Sequence, residues 1–449
     1  MNGKTNLNIR LLVLVLVLLA AGRAADGATI YVPADFNSIQ AAIDGASNGD
    51  EIEVAPGTYN EAIDFNGKYI QLYSIGGPDV TTIDANGIAG AYHVVQCVSG
   101  GGILEGFTIT GGNANGLVYP DDCGGGMYNR SNLTVTNCIF KANAAVYGGG
   151  GMYNGYCDPK VTNCVFIDNV TTGAGGGMWN DYDSYDNNPS VTDCNFISNT
   201  ANQGGGIYNY VSDPSVSNCT SSDNTANDGG GMYNHNSRPM VTNCMFMGNE
   251  ADNGGCMLND NSNSTVTNCS FSNNEASNGS GMLNQNYSEP TVTNCKFNEN
   301  EATKGGGMLN QIRSRPILTH CIFSCNTAGN SGGGMYNHDS DPRLRNCTLT
   351  ANTAFIGAGM FNHRSHPFLT NCILWGDIPD EIFDIETSSE LDYCDIQGGW
   401  SGRGGNNIDA DPCFVNASSG DLRLSTLASP CADAGDSTML LAERIYLDL

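Results

Sequence analysis

A six-residue block recurs ten times, in phase, along this chain. Gly124–Asn129 reads GGGMYN, and copies stand at 149–154, 175–180, 204–209, 229–234, 254–259, 279–284, 305–310, 332–337 and 357–362. Each copy is followed by a second block, first seen as VTNCIFKAN at 135–143. The cysteines of that block stand at 138, 164, 194, 219, 244, 269, 295, 321, 347 and 372. They are 25 or 26 residues apart, apart from one gap of 30 that holds the insert Asp181–Asn188. A fixed period of this length is the mark of a solenoid, whose units bury their apolar faces only by stacking. The blocks are short, rich in β-branched and aromatic residues, and bounded by Gly, Asn, Asp or Pro, so they read as strand–turn–strand. No apolar period of 3.6 residues runs inside a repeat, and the leucine skeleton of leucine-rich repeats is absent. Three short strands per coil predict an all-β fold, a single parallel β-helix of about ten regular coils. At strand spacing ten coils span roughly 48 Å.

Alternation within a strand then assigns each column a direction. In Val135–Phe140, Val135, Cys138 and Phe140 should face the core and Thr136 solvent. Asn137 should turn the chain in the left-handed region that Asn tolerates, with Asn side chains bonded up and down the column. Asp193 and His320 replace it in two coils. In the Met-Tyr-Asn strand, Met should point inward. Its neighbours Tyr128, Tyr153, Trp179, Tyr208, Tyr233, Tyr336 and Phe361 should then form an exposed aromatic ladder, able to bind an extended polysaccharide or a protein. The alternative is that these rings pack under loops.

The ends depart from the repeat. Lys4 and Arg10 precede the apolar run Leu11–Ala21 and the small residues Gly22, Ala24 and Ala25. Residues 1–25 therefore read as a secretory signal peptide, with no membrane-spanning segment left after cleavage. Residues 26–123 are expected to hold an N-terminal cap and irregular coils. In the cap, a short helix within Pro33–Gly49 is capped by Asp35 and carries Phe36, Ile39 and Ile43 on one face. Strands are expected at Glu51–Val54, Tyr69–Ser74 and Gly106–Thr110. The regular coils run over 124–374, and 375–449 form the C-terminal cap and tail.

Composition now has a meaning. The 58 glycines fall mostly at one turn of each coil. The net charge of −28 excludes nucleic acid, which needs clustered Lys and Arg, and disfavours acidic glycans unless Ca²⁺ bridges. Of 18 cysteines, the ten in the column are expected to be buried free thiols, because parallel Cβ vectors disfavour bridging between rungs. Cys413 and Cys431 are the best candidates for a disulfide.

Two stretches resemble known families. Residues 33–87 (VPADFNSIQAAIDGASNGDEIEVAPGTYNEAIDF…TTIDANG) look like the opening of secreted right-handed parallel β-helix proteins of the pectin-lyase-like superfamily. The coils at 124–372, which pair GGGM with FKAN, FIDN, FISN and similar segments, are similar to polymorphic outer membrane protein repeats. Together these resemblances imply a right-handed coil and a place outside the cell or on the bacterial outer membrane. They imply little about activity. Those outer membrane proteins end in a large β-barrel, which has no counterpart here. The stretch 407–436 instead resembles the end of secreted bacterial β-helix proteins.

Pectate lyases of that superfamily use Ca²⁺-binding carboxylates and an Arg base on one face. The nearest match here is the C-terminal group Arg343, Arg345, Asp341, His338 and His363, where neighbouring rungs would bring 338 and 363 together. Asp181, Asp183 and Asp186 in the insert could hold Ca²⁺. No cofactor is required by the sequence. Three functions follow: a non-catalytic surface β-helix for adhesion, binding polysaccharide or a cell-surface protein; a Ca²⁺-dependent lyase of acidic glycans; or a structural stalk. Near-identical coils without a differentiated patch favour the first.

Overall fold

The glycine-rich turn that opens each coil shows why the repeat has the sequence it has. In the computed structural model, Gly204 takes φ of 64°, and the equivalent residues Gly124, Gly149, Gly229 and Gly305 take φ between 64° and 68°. A Cβ on Gly205 or Gly206 would meet a carbonyl oxygen of the next coil at 2.5 Å. The first glycine is thus required by its backbone conformation and the next two by close approach between rungs. The structure describes residues 27–182, 188–417, 421–425, 429–432 and 434–435. The expected signal peptide lies outside them.

The chain coils around one axis and lays down three long parallel sheets of 16, 13 and 14 strands. It turns about 14 times: the ten regular coils, the irregular coils expected before residue 124, and a continuation of the same sheets after 374. Sheet 1 contains Glu51–Val54, Tyr69–Ser74, Thr134–Thr136 and their successors to Arg403–Gly405. Sheet 2 contains Thr108–Thr110, Ile139–Lys141 and their successors, and sheet 3 contains Met127–Asn129, Met152–Gly155 and theirs. A narrow fourth ladder, such as Thr225–Asp228 on Glu250–Asn253, precedes each glycine turn. Register is strict: Met127 pairs with Met152, Tyr128 with Tyr153 and Asn129 with Asn154.

The inward columns are those that alternation assigns. Val135, Phe140, Met127 and their equivalents are almost wholly buried, and so is the cysteine column. Phe rings stack 4.8 Å apart from 140 to 166 to 196, and 4.5 Å apart from 297 to 323. The cysteines are free thiols; Cys194 N–H donates to Cys219 Sγ at 3.4 Å, and Cys194 Sγ donates to Thr192 O at 3.2 Å. Burial holds the Cys164 and Cys256 thiols well above their ordinary range. Asn137 and its successors, with Asp193 and His320, turn at φ near 50°, and their exposed amides bond between rungs.

Two further Asn ladders are fully buried. Asn199 Nδ2 donates to Asn224 Oδ1 at 3.0 Å, and this column runs from Asn143 to Asn352. The last residue of GGGMYN forms the second, from Asn129 to Asn362. In both, each side-chain-to-side-chain bond of the ladder runs from an amide to the oxygen of the next coil toward the C-terminus, and in the first the same nitrogen also donates back to a carbonyl of the coil before. Both end on a carboxylate: Asn352 on Asp377 and Asn362 on Asp384, each at 2.9 Å.

At the N-terminal end the helix is Ile39–Gly45, with Ile39, Ala42 and Ile43 buried. Its N-cap is Ser38, which accepts from Ala41 N–H, and not Asp35. Asp35 instead accepts from Tyr31 N–H, four residues back. The Glu61 carboxylate accepts from Ile39 and Gln40 N–H, and Lys68 Nζ donates to three carbonyls at the other end. A seven-residue helix is marginal alone, so the first coils hold it at both ends.

Candidate functional site

The aromatic column is not an exposed strip. Tyr128, Tyr153, Trp179, Tyr208, Tyr233, Tyr336 and Phe361 are all under 9% exposed. They do point away from the main core, as alternation requires. The angle between sheet 3 and the fourth ladder covers them, and with Leu258, Leu283 and Leu309 they make a second, smaller core. Tyr128 stacks on Tyr153 at 5.4 Å, and Lys304 Nζ lies 5.7 Å from the Tyr336 ring centre. As an extended glycan platform the column is therefore overturned: its surface is spent on packing.

At one place this cover opens. A cleft of about 430 Å³ is lined by Tyr147, Gly173, Ala174, Trp179, Asp181, Gln203, Tyr208 and Tyr210. Tyr147, just before a glycine turn, meets Trp179 at 5.2 Å and 50°. Trp179 meets Tyr208 at 5.8 Å, and Tyr208 meets Tyr210 at 6.4 Å. Asp181 ends the strand Met178–Asp181, and its Oδ2 accepts from Tyr153 OH at 2.6 Å. The buried Trp179 indole N–H has no hydrogen-bond partner among the described residues. Trp179, Tyr208 and Asp181 are residues that the repeat singles out. Tyr147, Gln203 and Tyr210 are not, since they fall at positions where the coils vary; the doubled aromatics of IYNY at 207–210 were the available signal.

Tyr210 begins a polar row along the edge of sheet 3. It stacks on His235 at 5.5 Å and 5°, and His235 Nδ1 lies 3.4 Å from Asp260. Burial pushes the Asp260 carboxyl up, but its bonds to His235, Asn286 and Tyr233 outweigh this and leave it below its ordinary value. Further along, His338 and His363 do sit on adjacent rungs, with Nδ1 atoms 3.2 Å apart. Arg364 bonds both His338 and Asp339 at 3.0 Å. Burial lowers the His338 pKa. Asp341 turns away from this pair to Arg315 and His366. Arg343 and Arg345 stand on sheet 1, beyond the turn that carries Asp341. The expected five-residue constellation is thus split: the histidines meet each other, and the arginines lie on another face.

A second cleft of about 490 Å³ lies near the C-terminal end, lined by residues 376–382 and 396–400. Asp377 and Glu381 at its base are more than nine-tenths buried, and Asp377 Oδ2 and Glu381 Oε2 have no hydrogen-bond partner among the described residues. Asp377 Oδ1 accepts from Asn352, and Glu381 Oε1 from Gly376 and Asp377 N–H. Burial pushes both carboxyls up, Asp377 most, which favours a protonated form in which one carboxyl can donate to the other.

Of the insert carboxylates, Asp181 engages Tyr153, while Asp183 and Asp186 lie outside the described residues. Among the described residues no three His, Cys, Asp or Glu side chains are grouped to hold a metal. Cys413 and Cys431 are separate thiols: Cys431 Sγ donates to Asp395 Oδ2 at 2.9 Å, and Cys413 Sγ to the Asp411 carbonyl. The bridge expected from their spacing is not formed, because each sulfur is turned to an acceptor of its own. No helix among the described residues is long and apolar enough to cross a membrane.

A family model described as "Right handed beta helix region" matches residues 182–311. Among curated proteins there is no match. Tailspike protein 3 of bacteriophage CBA120 is similar, with a TM-score of 0.55 and 11% identity, over 83% of this chain and 62% of that one. The chain therefore spans 62% of the length of the tailspike it matches. The catalytic unit of a GH87 α-1,3-glucanase from Streptomyces thermodiastaticus strain HF3-3 has a TM-score of 0.46 and 10% identity, over 85% of this chain and 70% of that one. A mannuronic-acid-specific family 6 polysaccharide lyase from human gut microbiota has 0.40 and 9%, over 83% and 88%. At these identities the likeness shows the fold, a right-handed parallel β-helix, and nothing more.

Proposed function

We propose that this chain is a surface-exposed or secreted β-helix that binds saccharide without turning it over, through the cleft around Trp179. One observation carries the reading: four aromatic residues, a glutamine and a carboxylate line one open cleft of about 430 Å³. Sugar rings have apolar faces that stack on aromatic side chains and hydroxyls that need donors and acceptors, and this lining offers both. The split of the His/Arg/Asp group between two faces argues against the lyase reading, since an Arg base must face the same sugar as its carboxylates.

The test is a glycan array with the purified protein, followed by titration of the best oligosaccharide. Tyr147 is 58% exposed, so Tyr147→Ala removes a wall of the cleft with little structural cost. It should abolish binding and leave the melting temperature within a few degrees. Binding that survives Tyr147→Ala, or release of unsaturated product from polygalacturonate or alginate, would overturn the proposal.

A further inference from the structure

Histidine is scarce in this chain, six in all, and two of them meet. His338 ends the strand Met335–His338, His363 ends Met360–His363, and the two residues pair directly across sheet 3. Their Nδ1 atoms lie 3.2 Å apart and their rings cross at 73°. The side chains are 33% and 27% exposed, so solvent reaches the pair. Both sit on one ladder of a rigid sheet, which fixes their separation.

A distance of 3.2 Å fits one imidazole donating to the other, and it equally fits two nitrogens on one ion. Imidazole nitrogens sit about 2.0–2.1 Å from a bound Zn²⁺, which sets two of them roughly 2.8–3.4 Å apart between a right angle and the tetrahedral angle. What lies behind the rings favours the ion. A metal-bound imidazole keeps its proton on the other nitrogen and gives it to a carboxylate or carbonyl. Here His338 Nε2 lies 3.3 Å from Asp339 Oδ2, and His363 Nε2 lies 3.7 Å from Glu386 Oε2. Each ring thus has a carboxylate on its far side. Neither imidazole has to lose a proton, since that of His338 moves from Nδ1 to Nε2. The opposing group is Arg364, whose guanidinium lies 3.0 Å from His338 Nε2. It is also bound to both oxygens of Asp339, which matches its charge, and Glu386 adds a second negative charge.

We infer that His338 and His363 bind one divalent first-row transition ion through their two Nδ1 atoms, with water in its remaining positions. Imidazole ligation favours Cu²⁺ over Ni²⁺ and Zn²⁺. Ca²⁺ and Mg²⁺ need oxygen ligands that this pair does not supply. The site is six rungs from Trp179, about 29 Å at strand spacing, so it stands or falls apart from the saccharide reading.

The test is calorimetric titration of the untagged full chain with Cu²⁺, after alkylation of accessible thiols such as Cys325, with electron paramagnetic resonance of the 1:1 complex. One equivalent should bind, and the spectrum should carry the splitting of two imidazole nitrogens. Ni²⁺ and Zn²⁺ should bind more weakly, and Ca²⁺ not at all. His338→Gln and His363→Gln should each weaken copper binding at least about tenfold. Arg364→Gln removes the competing donor at His338 Nε2 and should tighten binding by several fold. His366→Gln, at an exposed histidine outside the pair, should bind copper like the wild type. Copper binding unchanged in both variants of the pair, or a spectrum showing a single nitrogen, would overturn the inference. Loss in His366→Gln equal to that in His363→Gln would mean scattered surface binding and would overturn it as well. The spectrum is read on the wild type, so the inference can fail even where a variant does not fold.

Discussion

At the scale of single residues, backbone conformation and charge decide what the repeat allows. Gly204 holds φ of 64°, and a Cβ there would meet Ile207 O at 2.5 Å. Gly204→Ala should therefore cost about 1–3 kcal/mol, read as a lower urea midpoint with an unchanged slope. Asp377 offers a pH-dependent counterpart. Its carboxyl, and that of Glu381, are raised in the native state chiefly by burial. A raised native pKa makes the folded state bind the proton more tightly than the unfolded chain. The resulting stability is complete below the ordinary carboxyl range and is lost as pH climbs through the native value. Melting temperature should thus fall from acidic toward neutral pH. Asp377→Asn should flatten that slope and raise neutral-pH stability by about 1–2 kcal/mol, because an amide can donate to Glu381 where a carboxylate repels it. A wild-type profile no steeper than the variant's would rule out the protonated form. The inward Val, Cys, Phe and Met columns were legible residue by residue, because a strand's two faces alternate without exception. The burial of Tyr128 and its column was not, because alternation says only that a side chain leaves one core. It does not say that a second awaits it. The recurring alanine two residues after the ladder asparagine, as in Asn224-Thr225-Ala226 and Asn249-Glu250-Ala251, was the available sign of another buried layer.

At the scale of elements, stability comes from columns that run through all coils. Asn249 accepts from Asn224 N and Nδ2, and donates to Ser221 O and Asn274 Oδ1. Asn249→Ala would strand several buried groups and should destabilise by at least about 2 kcal/mol in chemical denaturation. The Phe column has one weak rung, where Ser221 stands between Phe196 and Phe246. Ser221→Phe should raise the melting temperature by restoring an unbroken stack, an effect of about 1–2 kcal/mol. A fall would show that the neighbouring rings have already closed the space. Strand positions were legible even before the regular repeats: Glu51–Val54 and Tyr69–Ser74 fall where expected. The helix cap was misplaced because two acceptors, Asp35 and Ser38, precede the same turn. Only tertiary bonding from Glu61, whose carboxylate takes the Ile39 and Gln40 N–H groups, decides where that helix starts.

For the whole molecule, contacts are made almost entirely between adjacent rungs, so length should be adjustable in units of one coil. Residues 250–274 make such a unit, since Glu250 pairs with Glu275. Their deletion should leave a cooperatively folded protein with unchanged circular dichroism per residue and saccharide binding intact, because the cleft lies on earlier coils. Loss of cooperative unfolding would show coupling beyond nearest neighbours. The solenoid was legible from period alone. The coil after residue 374 was not, because a coil without the glycine block still supplies strands of the right alternation.

The two buried amide ladders give this stack a direction, and the direction has an end. Stacked strands with open edges are the architecture of fibrils, which lengthen when another chain repeats the pattern above the last. Here the last step answers the ladders with acceptors that pass nothing on: Asp384 accepts from Asn362 and Ser389, and Asp377 accepts from Asn352. Exchanging asparagine for aspartate at the last step of each ladder thus closes the donor–acceptor chain inside the monomer, and the helix Ile39–Gly45 covers the opposite end, so neither ladder is offered to a second molecule.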